Sequence, residues 1–356
     1  MKFAVLGAGS AGQGIAGYFA LNGHEVRLYN RTPEKIAPIA KSGKLKISGV
    51  IEGAAEIRKV SSEIKDIVTN VDSVLVTARA FGHQFLLEGC LDYLENNTIV
   101  LIFTGYWAAL RLRSLLSKYQ RTDITIAETT LLPLICQLMK PGHVNISGIK
   151  SKVRIAVYPP SRAHGVYEKF GSILPQLFLG DNVLETSLEN YNPIIHVPIA
   201  LFNLGQLEKH QDRFGFYHDG ISPKIAEAID AIDAERMNLI GQLNLDLTTV
   251  RDMLVEYYGT EGTSTYEIIR NCRPMKGYVL PDPFSYVRED LLYGLVPMAS
   301  MCDLLGIPAK ATKSLISSWQ TVDSVNYWQE GVKVDRLGVE GMNSEQIVKL
   351  ATSGQQ

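Results

Sequence analysis

The chain has 356 residues, 46% hydrophobic and 20% charged, with 35 lysines and arginines against 37 aspartates and glutamates for a formal charge of -2. At about 150 residues per domain this leaves room for two domains with sizeable cores, and the near-balance of charge offers no basic field to nucleic acid or an anionic membrane. Four cysteines, Cys90, Cys136, Cys272 and Cys302, are scattered without a CxxC pair, which fits buried thiols in a reducing, cytoplasmic setting better than disulfides or structural zinc.

The uncharged stretch Phe3–Gly23 is broken by Gly7, Gly9, Gly12, Gly14 and Gly17, too often for a signal peptide or membrane span. No other stretch is long and apolar enough to cross a bilayer. The segment reads instead as a strand, Phe3–Leu6, a glycine turn and a helix, Gln13–Asn22. Gly7-Ala8-Gly9-Ser10-Ala11-Gly12 is GxGxxG placed directly after a strand and opening a helix. Gly7 permits the tight turn, Gly9 lets backbone amides reach a pyrophosphate, and Gly12 allows close packing of helix on strand. Gly7, Gly9, Ser10, Ala11 and Gly12 are therefore expected to bind a dinucleotide.

The second strand, Val26–Tyr29, runs into Asn30-Arg31-Thr32, where an NAD-preferring site places an acid for the ribose hydroxyls. No acid stands here. Asn30 is able to bond a ribose oxygen, Arg31 to pair with a 2′-phosphate and stack on adenine, and Thr32 to add a hydroxyl, so NADPH is expected over NADH. The alternative is a solvated loop arginine. Further strands are expected at Ser73–Thr77, Ile99–Phe103, Ile124–Ala127 and Val153–Tyr158, continuous apolar runs of the buried parallel kind. They alternate with helical patterns at Pro33–Ser42, Phe85–Leu94 and Tyr106–Tyr119. The alternation predicts an α/β Rossmann-type dinucleotide-binding domain over 1–184.

After about Leu184 the strand-like runs give way to helical patterns at Ser222–Leu243, Leu247–Tyr257, Asp290–Leu305 and Ala309–Ser318. A mostly α-helical domain is expected over 185–356, packed on the first with a cleft between them and ending in a frayed tail at Ala351–Gln356. It begins Asn192-Pro193-Ile194-Ile195-His196, a capping residue followed by a proline suited to the first helical turn. The i to i+4 spacing sets Asn192 and His196 on one face, and Pro198 is expected to kink or end the helix nearby. Taken alone, such a histidine reads first as a satisfied structural residue. Asp290 reads either as a helix N-terminal charge or as a carboxylate that orients an imidazole, fixes its tautomer and readies it to donate a proton. The 7 histidines show no paired ligand spacing, so no metal is expected.

These elements are joined in order by Ala127-Glu128-Thr129-Thr130, Asp219-Gly220-Ile221-Ser222-Pro223, Asp233-Ala234-Glu235-Arg236, Tyr257-Tyr258-Gly259, Gly294-Leu295-Val296-Pro297 and Leu337-Gly338-Val339-Glu340-Gly341-Met342. With them the chain resembles, nearly end to end, the octopine and nopaline (opine) dehydrogenase family. The resemblance implies an opine dehydrogenase C-terminal domain and an enzyme that joins an amine to an α-keto acid and reduces the imine with NAD(P)H. It implies the acid/base role for His196, with Asp290 holding the imidazole.

Two departures stand out. The family pattern Arg-Tyr-x-x-Glu-Asp here reads Ser285-Tyr286-Val287-Arg288-Glu289-Asp290, so the expected carboxylate clamp is missing and Arg288, one helical turn on, is the candidate replacement. Tyr106 and Trp107 stand where small residues are usual near the nicotinamide, as core or as an apolar wall for a bulky substrate. Arg79 and His83 are candidate polar contacts to cofactor or substrate. The expectation is an NADPH-dependent enzyme acting on small-molecule amine and carbonyl partners, with no nucleic acid and no membrane. A homodimer stays open, because no heptad pattern decides it. The alternatives are a keto-acid reductase resembling ketopantoate reductase, a family that relies on a lysine acid, and a non-catalytic NADP-binding sensor.

Overall fold

A computed structural model describes residues 1–210, 212–280 and 282–354. Short runs rich in valine, isoleucine and leucine form twelve strands among them: β1 (Lys2–Leu6), β2 (Glu25–Tyr29), β3 (Lys44–Gly49), β4 (Gly53–Glu56), β5 (Lys59–Ser61), β6 (Ser73–Val76), β7 (Ile99–Phe103), β8 (Thr125–Thr129), β9 (Leu134–Lys140), β10 (His143–Ile149), β11 (Val153–Tyr158) and β12 (Leu177–Leu179). Eight make one sheet in the order β12-β11-β8-β7-β6-β1-β2-β5. Its neighbours are parallel except β11, which runs antiparallel to β8. The chain passes from β1 to β2 on one side and then crosses to β6 on the other, so the order reverses at β1. A doubly wound sheet opens a crevice at that point, beyond the carboxyl ends of its strands. The glycine turn lies there.

A second sheet, β4-β3-β10-β9, was not expected. Its strands alternate, as in Lys44-Leu45-Lys46-Ile47-Ser48, with Leu45 and Ile47 buried, which is the signature of a sheet wet on one face. The continuous apolar runs of the larger sheet draw attention away from that weaker pattern. The helix Ser10–Leu21 packs against this second sheet: a Cβ at Gly14 would lie 2.3 Å from Cys136 Sγ, and one at Gly17 2.2 Å from Ile47 Cδ1. One core joins Phe3, Val5 and Leu28 of the larger sheet, Ile15 and Phe19 of the helix, and Leu45, Ile47 and Ile146 of the smaller one.

By internal contacts the chain forms one unit from Met1 to Thr186, which also takes in the chain end from Ala351, and a second from Ser187 to Leu350. The expected frayed tail is corrected at Ala351, which is fully buried within the helix Ser344–Ser353. Among the described residues no helix is long and apolar enough to cross a membrane. Cys90, Cys272 and Cys302 are buried and Cys136 partly so, all as free thiols.

The second unit is helical. Ser222 Oγ accepts from Ile225 N at 3.3 Å and caps the helix Pro223–Gln242. Tyr191, not Asn192, stands at the cap of the helix Asn192–Phe202; Asn192 is its first residue, and its N–H donates to Asn190 Oδ1 at 3.2 Å. Pro198 lies inside that helix without ending it.

The expected helix start at Asp290 is also corrected. Asp282 caps a helix over Pro283–Asp290, so Asp290 closes it and a π-helical segment, Leu291–Leu295, follows before the helix Val296–Leu304. Val296 N–H reaches back to Leu291 O. Pro297 has no N–H with which to continue that slip, and the carbonyl of Leu292 is taken instead by Val332 N–H at 2.9 Å. A Cβ at Gly294 would lie 2.3 Å from Pro193 Cγ, so the π segment sits hard against the start of the helix that carries His196.

Candidate functional site

The glycine turn is closed from below. Gly7 adopts φ +111° and donates to Tyr29 O at 3.0 Å, while Thr77 Oγ1 donates to Gly7 O at 3.0 Å. A Cβ on Gly12 would come within 1.7 Å of Gly7 O, whereas one on Gly9 would meet nothing within 4 Å. Backbone therefore touches backbone at Gly12, and the exposed Gly9 leaves open space over the start of a helix with no acid in its first turn. Such a cradle suits a diphosphate, whose charge the helix N-terminus favours. Ser10 Oγ meanwhile accepts from Leu138 N at 3.3 Å, and Ala11 follows in the same turn. Asn30 braces the cradle more than it faces out: its Oδ1 accepts from Ala8 N at 3.1 Å and its Nδ2 donates to Thr32 O at 2.9 Å. Arg31 and Thr32 are exposed beside it.

Beyond β7 the chain takes a tight turn in which Thr104, Tyr106 and Trp107 all have positive φ, at 64°, 49° and 62°. Such backbone persists in non-glycine residues only when its surroundings over-determine it. Glu128 Oε2 accepts from Ala109 N at 2.8 Å, closing the start of the helix Ala108–Lys118, and its Oε1 accepts from Thr186 Oγ1 at 2.6 Å. Arg111 donates from Nε to Tyr106 O at 3.0 Å and from Nη2 to His83 Nδ1 at 3.0 Å.

His83, a candidate contact to cofactor or substrate, is buried with both ring nitrogens taken up inside the fold. Its Nε2–H donates to Ala78 O at 3.0 Å, and burial, with the Arg111 guanidinium beside it, holds its pKa down at about 3, so it stays neutral. Arg79 stands at the cap of the helix Ala80–Cys90. Tyr106 and Trp107 are both buried.

In the second unit, His196 and Asp290 meet although 94 residues separate them: Nδ1 lies 2.8 Å from Asp290 Oδ2, with the two residues only 4% and 1% exposed. The other ring nitrogen, Nε2, lies 2.8 Å from the hydroxyl of Tyr217. The Phe216 ring stands edge-on to the imidazole at 5.6 Å, and Tyr278 packs 5.8 Å from the Tyr217 ring. With Asp290 accepting from Nδ1–H, Nε2 of the neutral imidazole is an acceptor, and the Tyr217 phenol donates to it. Burial, then Tyr278, Tyr258, Asp290 and Tyr286, push that phenol well above its usual value, so it stays protonated at neutral pH. An imidazole held between a carboxylate and a phenol is equipped to take up and pass on a proton.

Tyr217 is not among the residues anticipated from the sequence. Its signal is the motif Asp219-Gly220-Ile221-Ser222-Pro223, which closes the turn beneath it: Gly215 N donates to Asp219 Oδ2 at 3.0 Å and Ile221 N to Tyr217 O at 3.0 Å. At the neighbouring His218, Arg270 Nη1 donates to the backbone oxygen at 2.7 Å.

Asn192 is partly buried at the head of the His196 helix. Arg288, the candidate replacement for the missing clamp, is turned to another partner. It is exposed, on the helix face away from Asp290, with Nη2 3.1 Å from both carboxylate oxygens of Asp323, because two residues along a helix turn a side chain through about 200°. Among the described residues no cluster of His, Cys, Asp and Glu could hold a metal.

Two family models match the chain: "Ketopantoate reductase PanE/ApbA" over residues 3–159 and "NAD/NADP octopine/nopaline dehydrogenase, alpha-helical domain" over residues 179–322. An opine dehydrogenase of Arthrobacter sp. (strain 1C) is 27% identical over 349 residues, which is 97% of each chain. Octopine dehydrogenase in complex with NADH and agmatine matches with a TM-score of 0.81 at 17% identity, over 100% of this chain and 98% of that one. Yersinopine dehydrogenase with NADP+ bound matches at 0.71 and 14% identity, over 99% and 97%. These two show a common fold.

Proposed function

We propose that this chain, similar over 97% of its length to an opine dehydrogenase and matched in its helical half by the octopine and nopaline dehydrogenase family, is an NADPH-dependent oxidoreductase acting on CH–NH bonds. It reduces the imine formed between an amino acid or amine and an α-keto acid or other carbonyl compound. The observation that carries this reading is the buried 2.8 Å contact between His196 and Asp290. The ketopantoate reductase match lies in the nucleotide-binding half and does not reach these residues.

A bound nicotinamide supplies the hydride. The amides of the Gly7–Gly12 turn hold the diphosphate, and Arg31, beside a strand end with no acid, pairs with the 2′-phosphate. His196 holds the proton that the leaving oxygen needs as the carbinolamine loses water, and Asp290 stabilises the imidazolium while that proton is held. Ser285 in place of an arginine, with Arg288 turned to Asp323, favours a carbonyl partner not restricted to α-keto acids, since a hydroxyl is a weak anion ligand. Free thiols throughout suit a cytoplasmic location.

The test is NADPH oxidation with pooled amino acids and pooled α-keto acids, together and apart, with products identified by mass. Oxidation that requires both pools and yields an N-alkylated amino acid is the expected result. Oxidation with the carbonyl pool alone would instead mean a keto-acid reductase. Cofactor binding without turnover across a wider panel of amines and carbonyls would mean a sensor.

A further inference from the structure

We propose that Tyr217 is the third member of the proton path, the group through which His196 passes its Nε2 proton outward; this rests on the acid/base role proposed above for His196. The hydroxyl stands 2.8 Å from Nε2, and the two rings lie 5.7 Å apart at 48°. Both imidazole nitrogens are thereby engaged, Nδ1 by Asp290 and Nε2 by Tyr217. A proton leaving Nε2 along its hydrogen bond arrives at the phenol.

The placement of the hydroxyl is built in. Asn203 Nδ2 donates to Ile199 O on the His196 helix and to Gly220 O on the Tyr217 turn, each at 2.8 Å, tying the two segments together. Phe216 N donates to Tyr278 O at 2.9 Å. A Cβ on Gly220 would lie 2.2 Å from Phe216 O, so the turn is as close-packed as backbone allows. Packing alone would need only the ring; the hydroxyl is aimed at a nitrogen.

The exchange balances. In the neutral state Tyr217 O–H donates to Nε2. Once the imidazole carries a second proton, Nε2–H donates to the phenol oxygen and the phenol O–H is free to donate elsewhere. As the carbinolamine C–O bond breaks, the oxygen leaves as water with the phenol proton, and the nitrogen lone pair forms C=N. The phenol oxygen takes the Nε2 proton, and the imidazolium returns to neutral imidazole. Burial keeps the phenol protonated among Tyr278, Tyr258, Asp290 and Tyr286, so it begins each cycle as a donor.

The experiment compares wild type, His196→Ala, Tyr217→Phe and a chain with trifluorotyrosine at position 217. Two readouts are used: NADPH oxidation with the pooled amino acids and α-keto acids, and titration of His196 by NMR with NADP+ bound. Tyr217→Phe is expected to lower kcat on the order of 100-fold, with the KM for NADPH and the melting temperature unchanged, and to shift the His196 titration. The more acidic fluorinated phenol should restore turnover, with the alkaline limb of the pH profile moved to lower pH. Wild-type kcat and pH profile in Tyr217→Phe, beside an inactive His196→Ala, would overturn the relay and leave the proposed reaction standing. If wild type turns over neither the pools nor the wider panel of amines and carbonyls, the proposed reaction fails, and the titration decides alone. A His196 curve unchanged in Tyr217→Phe overturns the inference; a shifted one supports it.

Discussion

Around Gly7–Gly12 the groups proposed to bind the cofactor are backbone amides, and the side chains there are notable for being absent: a methyl on Gly12 would overlap Gly7 O at 1.7 Å. Around His196 the groups proposed to move the proton are side chains brought from 94 residues apart onto one hydrogen bond. The first region is built locally, from six consecutive residues after β1, so its spacing is written in the sequence. The second depends on three segments of the second unit being packed in register, which a π-helical slip at Leu291–Leu295 and the close approach of Gly294 to Pro193 adjust. Nucleotide binding should therefore respond to changes of backbone room, and proton transfer to changes of single polar atoms.

The largest effect should come from the second region. His196→Ala is expected to lower kcat by about 10²- to 10⁴-fold while the Kd for NADPH, measured by fluorescence titration, stays within twofold; an equal loss of binding would erase the contrast. Next, Gly12→Ala should weaken NADPH binding on the order of 100-fold and leave the pH profile of residual turnover unchanged. A shifted profile would mean that the two regions are not independent.

His83 sharpens the comparison through stability. Its folded pKa of about 3 lies below the ordinary 6.5, so between those values the unfolded chain binds more protons and stability falls as pH drops. From pH 7 to pH 5 wild type should lose about 2 kcal/mol more than His83→Gln, read by urea denaturation. Equal losses would contradict a buried neutral imidazole. The smallest effects belong to two arginines. Arg31→Ala should raise the KM for NADPH about tenfold and leave NADH unaffected. Arg288→Ala, an exposed ion pair, should cost less than about 1 kcal/mol of stability and leave the KM for the carbonyl partner unchanged.

What was legible follows the same division. The strand, turn and helix over Lys2–Leu21, the parallel strands of the larger sheet and the helical second unit are local patterns of spacing and burial. The second sheet is hard to see in the sequence because its strands show period-two alternation, and His143-Val144-Asn145-Ile146 resembles a polar loop unless its buried Val144 is paired with Ile47 of β3. In the second unit His196 and Asp290 were named, but by motif. Periodicity has no means of bringing residues 94 apart onto one bond. Tyr217 went unseen for the converse reason: its role is created by a turn whose glycine and aspartate are visible but whose direction is set by Asn203 and Tyr278. The pairing of Arg288 with Asp323 is not legible either, because sequence distance from Ser285 says nothing of a partner brought in by helix packing.

The most direct test of the central claim is where the hydride goes. NADPH carrying deuterium at C4, on each face in turn, is turned over with the pooled amino acids and α-keto acids, and the products are analysed by mass and NMR. The account predicts, from one of the two labelled faces, a single deuterium on the carbon newly bonded to nitrogen in an N-alkylated amino acid. Deuterium found instead in a hydroxy acid, with no N-alkylated product, would contradict it.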